Sequence, residues 1–460
     1  MAKKIVILGG GISGYGSAIL AKKKGFDVFL SDSGTIKDIY RKRLEEWNVE
    51  YEQGGHSIER ILSADIIVKS PGIPEKNELI QKLRAKSIPI ISEMEFAYPY
   101  IGKAKCICIT GSNGKTTTTS LIYKILKDAG YKVALGGNIG ESFAYTVATE
   151  EVDWYVLELS SFQLDGMFRF RAHIAILMNI TPDHLDRYGY VFQNYVDSKM
   201  RIIQNQKSND FFIYSADDNV IQAELKKRTI PAKELPFMAH NTIFSQEGDA
   251  MLHATEINVS VNKKDLMLDC SQIQIKGLHN SYNTMAAALA ALAAKVKPSQ
   301  IKKSIYDFSP VEHRLEPAGE YNGIKFINDS KATNVDSVWY ALEAMQTPVV
   351  WIAGGTDKGN DYSPLKEFAR QKIHTLVCMG LDNKKLLDEF EGIIPNIIST
   401  SSLDDAMNAA TKAARPQDTV LLSPACASFD LFKCYEDRGE QFKRWVEKLI
   451  QQNKQLKFRK

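Results

Sequence analysis

The hydrophobic residues of this chain form short, nearly continuous runs, separated by helical stretches and by loops rich in glycine and polar residues. Runs at 4–8, 28–30 and 66–68 are typical of buried strands, and the pattern predicts a helix over 17–24. A strand, a glycine turn, a helix and a second strand predict a βαβ unit with a parallel sheet. We expect this first domain to end near Ser92.

The middle of the chain shows the same alternation. Apolar runs at 106–109, 154–157 and 173–177 each lead into polar residues, which predicts a parallel sheet with ligand-binding groups at the carboxyl ends of its strands. A helix is predicted over 115–127, directly after the first of these runs. Around 257–276 the apolar spacing changes to two, which predicts short antiparallel strands.

The last third of the chain is predicted to be another α/β unit, after an alanine-rich helix over 283–295. Its buried strands are predicted at 324–327, 349–353, 375–378 and 419–422. The predicted fold class is therefore α/β with three domains. They are a Rossmann-like N-terminal domain, a central P-loop ATPase-type domain with a mostly parallel sheet, and a Rossmann-like C-terminal domain, over residues 1–93, 94–310 and 311–460.

Composition and charge exclude several classes of protein. Hydrophobic residues at 44% and charged residues at 25% are ordinary globular proportions, which excludes a disordered, collagen-like or coiled-coil chain. The net charge of +3 is too small for a protein whose main partner is nucleic acid or anionic lipid. The longest strongly apolar run, 285–294, is far shorter than the roughly 20 residues that span a bilayer. We expect a cytoplasmic protein with no nucleic-acid or membrane partner.

A glycine motif follows the first predicted strand. Gly9, Gly11 and Gly14 form G-x-G-x-x-G, and Asp32 lies at the end of the second strand. Glycines let the backbone approach an anion at a helix N-terminus, and Asp32 can accept a hydrogen bond from a ribose or a base. The motif indicates a phosphate-bearing nucleotide without selecting NAD, and a tight turn without a ligand is the alternative.

A second glycine loop, at 111–116, has the sequence GSNGKT between a strand and a helix. Backbone N–H groups in such a loop surround phosphates, the Lys115 ammonium neutralises them, and the Thr116 hydroxyl can bind Mg²⁺. A full Walker A motif would have glycine where this chain has Ile109. The loop therefore predicts an ATP-type site that depends on Mg²⁺.

Two further strand ends carry groups that can bind metal. Glu158 ends an apolar run, where it can reach a metal held by the phosphate loop, although a surface cap is the alternative. Residues 181–183, Thr-Pro-Asp, are also typical of a helix start. His184 follows them, and a neutral imidazole there could bind a divalent ion.

The third domain presents polar loops after its strands, at 328–334, 354–359 and 423–428. Each could be a turn with a capped helix, and Ser428 could be an N-cap. Three such loops at the same edge of one sheet favour a binding site. Residue chemistry thus predicts an ATP-type site, a second nucleotide site and a third binding surface, but it names no reaction.

Taken together over essentially the whole length, these motifs resemble the Mur ligase family. The specific pieces are TGSNGKT at 110–116, LELSSFQL at 157–164, NITPDHLDRY at 179–188, GLHNSYN at 277–283, His313-Arg314, NDSKATN at 328–334 and SPACASFDLFKCYEDRG at 423–439. Within the family, the chain is most similar to the ligases that add D-glutamate to UDP-N-acetylmuramoyl-L-alanine. The resemblance implies an ATP-dependent amide-bond-forming ligase of peptidoglycan precursor synthesis, with an acyl-phosphate intermediate.

The resemblance also implies which residues bind ATP and metal. The implied ATP ligands are Gly111, Asn113, Gly114, Lys115, Thr116, Thr117, Asn283, Arg314 and Asp329. The implied catalytic residues are Lys115, Glu158, His184 and Lys199. Two Mg²⁺ ions would be held by Thr116, Glu158, His184 and Lys199. Lys199 matches the lysine that this family carbamylates, which turns it into an anionic ligand. An unmodified ammonium there would repel Mg²⁺.

The remaining implied residues bind the other two substrates, and we expect a monomer with no further partner. Those for the UDP substrate are Gly11, Ile12, Ser13, Asp32, Ser70, Asn138 and Ser160. Those for D-glutamate are Thr333, Lys358, Ser428 and Phe429. The three domains would then bind the UDP substrate, ATP and the amino acid, in chain order.

Two functions from other classes stay open on the residues alone. A nicotinamide dehydrogenase would use the glycine motif at 9–14 but would leave Lys115, Glu158 and His184 without a role. A non-catalytic nucleotide-binding regulator would keep the phosphate loop but would need no site in the third domain.

Overall fold

The structure is a computed structural model that describes residues 2–239, 250–253, 255–309 and 312–458. The described residues form two compact units, one built on the first two sheets and one on the third. The second unit also includes 183–190 and 274–280. The predicted α/β class with three mostly parallel sheets is confirmed. The predicted boundary at 310 and 311 lies outside the described residues.

The first sheet is entirely parallel, in the order β3-β2-β1-β4-β5. Its strands are β1 Lys4–Leu8, β2 Asp27–Asp32, β3 Glu50–Gln53, β4 Ile66–Lys69 and β5 Ile90–Ile91. Its helices are α1 Ile12–Lys23, α2 Asp38–Glu46, α3 Ile58–Leu62, α4 Glu78–Ala85 and α5 Glu93–Ala97. The direction of winding reverses between β1 and β4, so the glycine turn after β1 lies where α/β sheets bind ligands.

The predicted start of the first helix, at residue 17, is wrong. Helix α1 begins at Ile12, and Gly14 therefore lies inside it. A Cβ on Gly14 would lie only 1.7 Å from the carbonyl oxygen of Gly9. The glycine motif thus allows the helix to start directly against the turn that precedes it.

The second sheet is parallel from β7 to β12 and antiparallel from β12 to β14, in the order β14-β13-β12-β11-β10-β9-β6-β8-β7. Its strands are β6 Lys105–Thr110, β7 Val133–Gly137, β8 Trp154–Glu158, β9 Ile174–Leu177, β10 Phe211–Ser215, β11 Lys233–Met238, β12 Ala250–His253, β13 Glu256–Val261 and β14 Lys264–Asp269. The helices that follow in sequence are α6 Lys115–Asp128, α7 Phe143–Thr149, α8 Ser161–Asp165, α9 Phe192–Met200, α10 Asn219–Leu225, α11 Leu278–Ala293 and α12 Pro298–Tyr306.

The antiparallel strands predicted around 257–276 are confirmed, but their extent differs. Ile273 and Ile275 were predicted to lie in a strand and lie after β14 instead. The buried alternation of β14 comes from Leu266 and Leu268, and the chain turns directly after Asp269. Ile273 and Ile275 are buried, although they belong to no strand. Their spacing of two therefore reflects burial outside the sheet and not strand alternation.

The third sheet has the order β15-β16-β20-β17-β18-β19, and only the β15–β16 pair is antiparallel. Its strands are β15 Glu316–Tyr321, β16 Ile324–Asn328, β17 Val349–Ala353, β18 Ile373–Met379, β19 Asn396–Thr400 and β20 Thr419–Leu422. Its helices are α13 Val335–Ala344, α14 Lys366–Lys372, α15 Lys384–Phe390, α16 Leu403–Ala413 and α17 Tyr435–Phe458. Apolar clusters cover both faces, so the polar loops collect at its carboxyl edge.

None of the helices in the described ranges combines the length and the apolar character needed to cross a bilayer.

Candidate functional site

The phosphate loop connects β6 to α6 through two glycines in conformations that other residues avoid. Gly111 has φ of 150° and Gly114 has φ of 83°. A Cβ on Gly114 would lie 2.4 Å from Oδ1 of Asn283, so the site requires glycine there. The Lys115 ammonium donates hydrogen bonds to the carbonyl oxygens of Gly111 and Ser112, both at 2.8 Å. The loop therefore places a lysine and a helix N-terminus together, as phosphate binding requires.

The segment after β9 holds this loop in place. The Asn113 amide donates to Oδ1 of Asn179 at 2.8 Å, and the Asn179 side chain donates back to the Asn113 carbonyl at 3.2 Å. The Thr181 amide donates to the Ser112 hydroxyl at 2.9 Å, and that hydroxyl donates to the Thr181 carbonyl at 2.8 Å. Sequence reasoning gave these residues no such role, because nothing in a single motif shows which side chains bond across the sheet.

The helix start predicted at 181–183 is wrong. The backbone of Thr181 is engaged with Ser112, and the next helical residues are a single 3₁₀ turn at Leu185–Arg187. His184 precedes that turn with φ of 53°, and its Nε2 lies 3.6 Å from Oδ2 of Asp183.

Glu158 lies buried at the end of β8, which excludes the surface-cap alternative. Its Oε1 accepts a hydrogen bond from the Asn138 side chain at 2.9 Å, and its carbonyl accepts from the Asn138 amide at 2.8 Å. Its Oε2 is buried and has no hydrogen-bond donor among the described residues. A buried carboxylate oxygen without a donor is costly unless a cation meets it. The atom therefore fits a metal ligand.

No group of three or more His, Cys, Asp or Glu side chains within the described ranges could by itself hold a metal. A metal site at Glu158 would therefore need other donors, such as the phosphate groups, the hydroxyl of Thr116 or a modified Lys199. Glu158, Thr116 and Lys199 belong to the same compact unit.

Lys199 lies near the end of α9, is 2% exposed and reaches the phosphate loop. Its Nζ donates to the carbonyl oxygen of Gly111 at 2.7 Å and lies 4.6 Å from the centre of the Tyr195 ring. The same carbonyl accepts from Lys115. Asn283 is also at this loop, because its Oδ1 accepts from the Thr118 hydroxyl at 3.2 Å. The structure thus brings four predicted residues, Lys115, Lys199, Asn283 and Gly111, to one loop.

The glycine turn of the first sheet gathers most of the residues predicted for the UDP substrate. Oδ2 of Asp32 accepts from the Gly10 amide, and its Oδ1 accepts from the Gly34 amide at 2.7 Å. A Cβ on Gly9 would lie 2.5 Å from the Ser70 hydroxyl, so Ser70 borders the same turn. Space beside Gly11 is open, with no atom within 4 Å of an added Cβ. Asp32 thus shapes the turn, and further acceptor capacity remains on its carboxylate.

Ser160, another residue predicted for the UDP substrate, has a structural role. It caps α8, where its hydroxyl accepts from the Gln163 amide at 3.3 Å. The Gln163 side chain accepts in return from the Ser160 amide at 2.9 Å, which completes a capping box.

The three polar loops of the third sheet are hydrogen-bonded to one another. The Ala425 amide donates to the Ala332 carbonyl at 2.9 Å, and the Thr356 amide donates to the Ala427 carbonyl at 2.8 Å. Gly355, with φ of 128°, permits this contact, because a Cβ on it would lie 2.2 Å from the Ala427 oxygen. The loops therefore form one continuous surface at the carboxyl edge of the sheet.

Asp329 and Arg314 are the residues predicted there for ATP. Oδ2 of Asp329 accepts from the Ser423 hydroxyl at 2.8 Å, and its Oδ1 accepts from the Leu315 amide at 3.2 Å. Burial raises the pKa of Asp329 to about 6, although the charge of Arg314 opposes that rise. The Nε of Arg314 is buried without a hydrogen-bond acceptor among the described residues.

His279 lies in the same unit, within the motif at 277–283, and the sequence predicted no role for it. Burial lowers its pKa to about 3, and the charge of Arg314 lowers it further. The ring is therefore neutral at physiological pH, and its buried Nδ1 has no hydrogen-bond partner among the described residues. The signal available in the sequence was its place in GLHNSYN.

The residues predicted for D-glutamate differ in exposure. Lys358 pairs with Oδ1 of Asp183 at 3.1 Å, and the Asn334 side chain donates to Oδ2 of Asp183 at 3.4 Å. Ser428 is buried, whereas Phe429 is 73% exposed. The N-cap alternative for Ser428 is wrong, because the next helix begins only at Tyr435.

A phosphate loop on a mostly parallel sheet, with one α/β sheet before it and another after it in the chain, is the arrangement of a multidomain nucleotide-binding protein. Family models agree in chain order. Residues 4–79 match the MurD N-terminal domain, residues 109–291 the Mur ligase middle domain, and residues 313–426 the glutamate ligase domain of Mur ligases.

Relatives match nearly the whole chain. It is 53% identical to the UDP-N-acetylmuramoylalanine--D-glutamate ligase of Bacteroides fragilis over 97% of this chain and 100% of that protein. It is 48% identical to the ligase of the same name from Christiangramia forsetii, over 98% and 100%. The chain belongs to the Mur ligase family, so the resemblance of its motifs is confirmed.

Solved structures share the fold at low identity. The UDP-N-acetylmuramate-alanine ligase of Thermotoga maritima has a TM-score of 0.61 and 18% identity, over 97% of this chain and 99% of that chain. A pseudomurein peptide ligase of Methanothermus fervidus has a TM-score of 0.59 and 20% identity, over 91% and 96%.

Proposed function

We propose that this enzyme adds D-glutamate to UDP-N-acetylmuramoyl-L-alanine, at the expense of ATP, in peptidoglycan precursor synthesis. The observation that carries this proposal is the identity of about half of all residues, over nearly the full chain, with ligases named for that reaction. The phosphate loop with the buried Glu158 beside Asn138 supports the use of ATP. We also propose that the enzyme is a cytoplasmic monomer that needs only its substrates as partners.

The first step joins the UDP substrate to phosphate. An oxygen of the L-alanyl carboxylate attacks the γ-phosphorus of ATP, the bond from that phosphorus to the β-γ bridging oxygen breaks, and ADP leaves. Lys115 and the backbone N–H groups at 111–117 would stabilise the charge that develops on the phosphoryl oxygens. Bound Mg²⁺ would supply positive charge to the same oxygens, and Thr116, Glu158, His184 and Lys199 are the residues that would hold it.

The second step forms the amide bond. The amine of D-glutamate attacks the acyl carbon, phosphate leaves, and the amine nitrogen loses its proton. Thr333, Lys358, Ser428 and Phe429 would hold the amino acid. The pairing of Lys358 with the carboxylate of Asp183 supports a role in binding carboxylates, because a substrate carboxylate can take the same place.

Carbamylation of Lys199 is the finer part of this proposal. The Lys199 ammonium would first lose a proton, and the resulting neutral amine would add to CO₂ and release a second proton. A cationic group would thereby become an anionic carbamate with two oxygens. Its burial against the phosphate loop supports this, because an ammonium in that position would repel Mg²⁺.

A coupled phosphate-release assay tests the function as a whole. With ATP, Mg²⁺ and UDP-N-acetylmuramoyl-L-alanine present, we expect steady phosphate release only after D-glutamate is added, and little with L-glutamate. Phosphate release at the same rate with and without D-glutamate would reject the proposal, and so would reduction of NAD by the protein.

A further inference from the structure

Glu93, the first residue of α5, is a buried carboxyl group that the proposed reaction does not use. Its Oε1 accepts hydrogen bonds from the Ser142 hydroxyl at 2.5 Å and from the Ala144 amide at 3.0 Å. The Ser13 hydroxyl is a further polar group beside this carboxyl group, and it lowers the pKa of Glu93. Burial raises the pKa of Glu93 to about 7, although these hydrogen bonds oppose the rise.

The two serines belong to different parts of the predicted UDP-substrate site. Ser13 lies in the first turn of α1, immediately after the glycine turn. Ser142 is the N-cap of α7, and it ends the loop 138–142 that begins with Asn138. The carboxyl group of Glu93 therefore bonds the end of the loop predicted to contact the rest of the substrate, and Ser13, at the turn predicted to bind the UDP part, lies beside it.

Helix α1 and this loop are in direct contact around Glu93. A Cβ on Gly16 would lie only 1.8 Å from the Ser142 hydroxyl, so α1 packs closely on the start of α7. The Tyr15 hydroxyl donates to Glu141, and Arg43 forms an ion pair with Glu141 at 2.9 Å. The contact is thus built from several polar groups, and Glu93 is more buried than the ion-paired Arg43 and Glu141.

Loop 138–142 is tightly folded, so a shift at Ser142 reaches Asn138. The Glu141 amide donates to the Leu135 carbonyl at 3.2 Å. Gly140 has φ of 77°, and a Cβ on it would lie 2.5 Å from the same oxygen. At the other end of the loop, Asn138 is bound to Glu158 through both its amide and its side chain.

We propose that Glu93 is a positioning residue for the UDP substrate, because its carboxyl group holds Ser142, at the end of loop 138–142, against helix α1, which begins at the glycine turn. The inference rests on the proposed function, which supplies the substrate that spans these two parts. Loss of the carboxyl group lets the glycine turn and the loop move apart, which weakens substrate binding. Binding of D-glutamate, whose predicted residues all belong to the other compact unit, stays the same.

Steady-state kinetics of the full chain with Glu93→Ala and Glu93→Gln test this inference. We expect Glu93→Ala to raise KM for UDP-N-acetylmuramoyl-L-alanine about ten- to a hundredfold, with KM for D-glutamate within about twofold. Glu93→Gln should restore KM to within a few-fold of the wild type, because its amide oxygen still accepts from Ser142 and Ala144.

Glu95→Ala is the matched control for a merely structural loss. Glu95 is an equally buried glutamate on the same helix, but it accepts hydrogen bonds from the amides of Phe168, Arg169 and Phe170. We expect this variant to lose thermal stability while KM for the UDP substrate stays unchanged. A similar rise of that KM in both variants would overturn the positioning role.

Two measurements keep the inference testable on its own. If Glu93→Ala does not fold, Ser142→Ala removes one of the same bonds and should raise KM for the UDP substrate several-fold. An unchanged KM in a folded variant overturns the inference. Titration with UDP separates the two proposals. A wild type that neither binds UDP nor forms product rejects the function, whereas normal UDP binding by Glu93→Ala rejects only the role of Glu93.

Discussion

At the scale of single residues, the site is defined by polar atoms that are buried where water cannot satisfy them. Oε2 of Glu158 has no donor among the described residues, which is costly in a stable fold and points to a ligand that compensates for it. Lys199, which is also buried, donates to the Gly111 carbonyl of the phosphate loop. Lys199 is the residue whose chemistry is most open to test.

Lys199→Ala should be inactive, because the variant cannot form an anionic carbamate ligand for metal. Acetate or propionate should restore part of the activity, since a free carboxylate can occupy the space that the side chain leaves. Lys207→Ala, at an exposed lysine beyond the same helix, is the control and should behave like the wild type. Full activity of Lys199→Ala in bicarbonate-free buffer would show that no carbamate is needed.

The raised pKa of Glu93 should also make the free energy of unfolding depend on pH. Its pKa is raised from an ordinary value of 4.5 to about 7 in the folded state, so the folded protein favours the protonated form. The stability that this gives is present below pH 4.5 and is lost as pH rises through 7. Glu93→Gln, which stays neutral, should therefore gain up to about 3 kcal/mol relative to the wild type between pH 5 and pH 8. Denaturant unfolding of both proteins at the two pH values measures this, and a constant difference would contradict it.

At the scale of elements, the chain repeats a unit of a strand, a loop and a helix. Each loop is held in place by hydrogen bonds from neighbouring loops. The phosphate loop is held by Asn179 and Thr181, and the third-sheet loops are held by one another. The geometry of each site is therefore a property of neighbouring loops as much as of its own motif.

Gly114→Ala should disrupt the phosphate loop, because Gly114 is left-handed and an added Cβ would meet Asn283 at 2.4 Å. We expect a loss of about 1 to 3 kcal/mol of stability and loss of the thermal shift that ATP produces. Gly55→Ala is the control, because an added Cβ there meets nothing within 4 Å and the backbone is not left-handed. A normal ATP-induced thermal shift in Gly114→Ala would show that ATP binding does not depend on this loop.

Buried strands and the loops after them could be predicted from the sequence, because continuous apolar runs are typical of parallel strands. The edge strands β15 and β19 were missed, since both are partly polar and carry no such run. The bonds between Asn113 and Asn179 could not be foreseen either. They join residues far apart in the chain, and only strand order brings those residues together.

At the scale of the whole molecule, the predicted binding roles are divided between two compact units. Lys115, Glu158 and the glycine turn belong to one unit, whereas Asp329, Lys358 and Ser428 belong to the other. The residues predicted for the UDP substrate all belong to the first unit, so a change at the amino-acid site should alter affinity for D-glutamate and leave affinity for the UDP substrate unchanged.

Lys358→Ala should raise KM for D-glutamate about ten- to a hundredfold, because one charge-assisted hydrogen bond to a substrate carboxylate is lost. KM for the UDP substrate should change by less than about twofold. Lys385→Ala removes a lysine that pairs with Asp357 in the same unit, so it serves as the control. Equal weakening of both substrates would contradict the assignment of Lys358 to D-glutamate.

The central claim is that the enzyme activates the L-alanyl carboxylate by phosphorylation before it forms the amide bond. The most direct measurement uses UDP-N-acetylmuramoyl-L-alanine with ¹⁸O in both carboxylate oxygens, with ATP and D-glutamate, and determines the label in the released phosphate by mass spectrometry. We expect one ¹⁸O in each phosphate and one in the new amide carbonyl, because the attacking oxygen leaves with the phosphoryl group. Unlabelled phosphate, or phosphate released without formation of the glutamyl product, would contradict it.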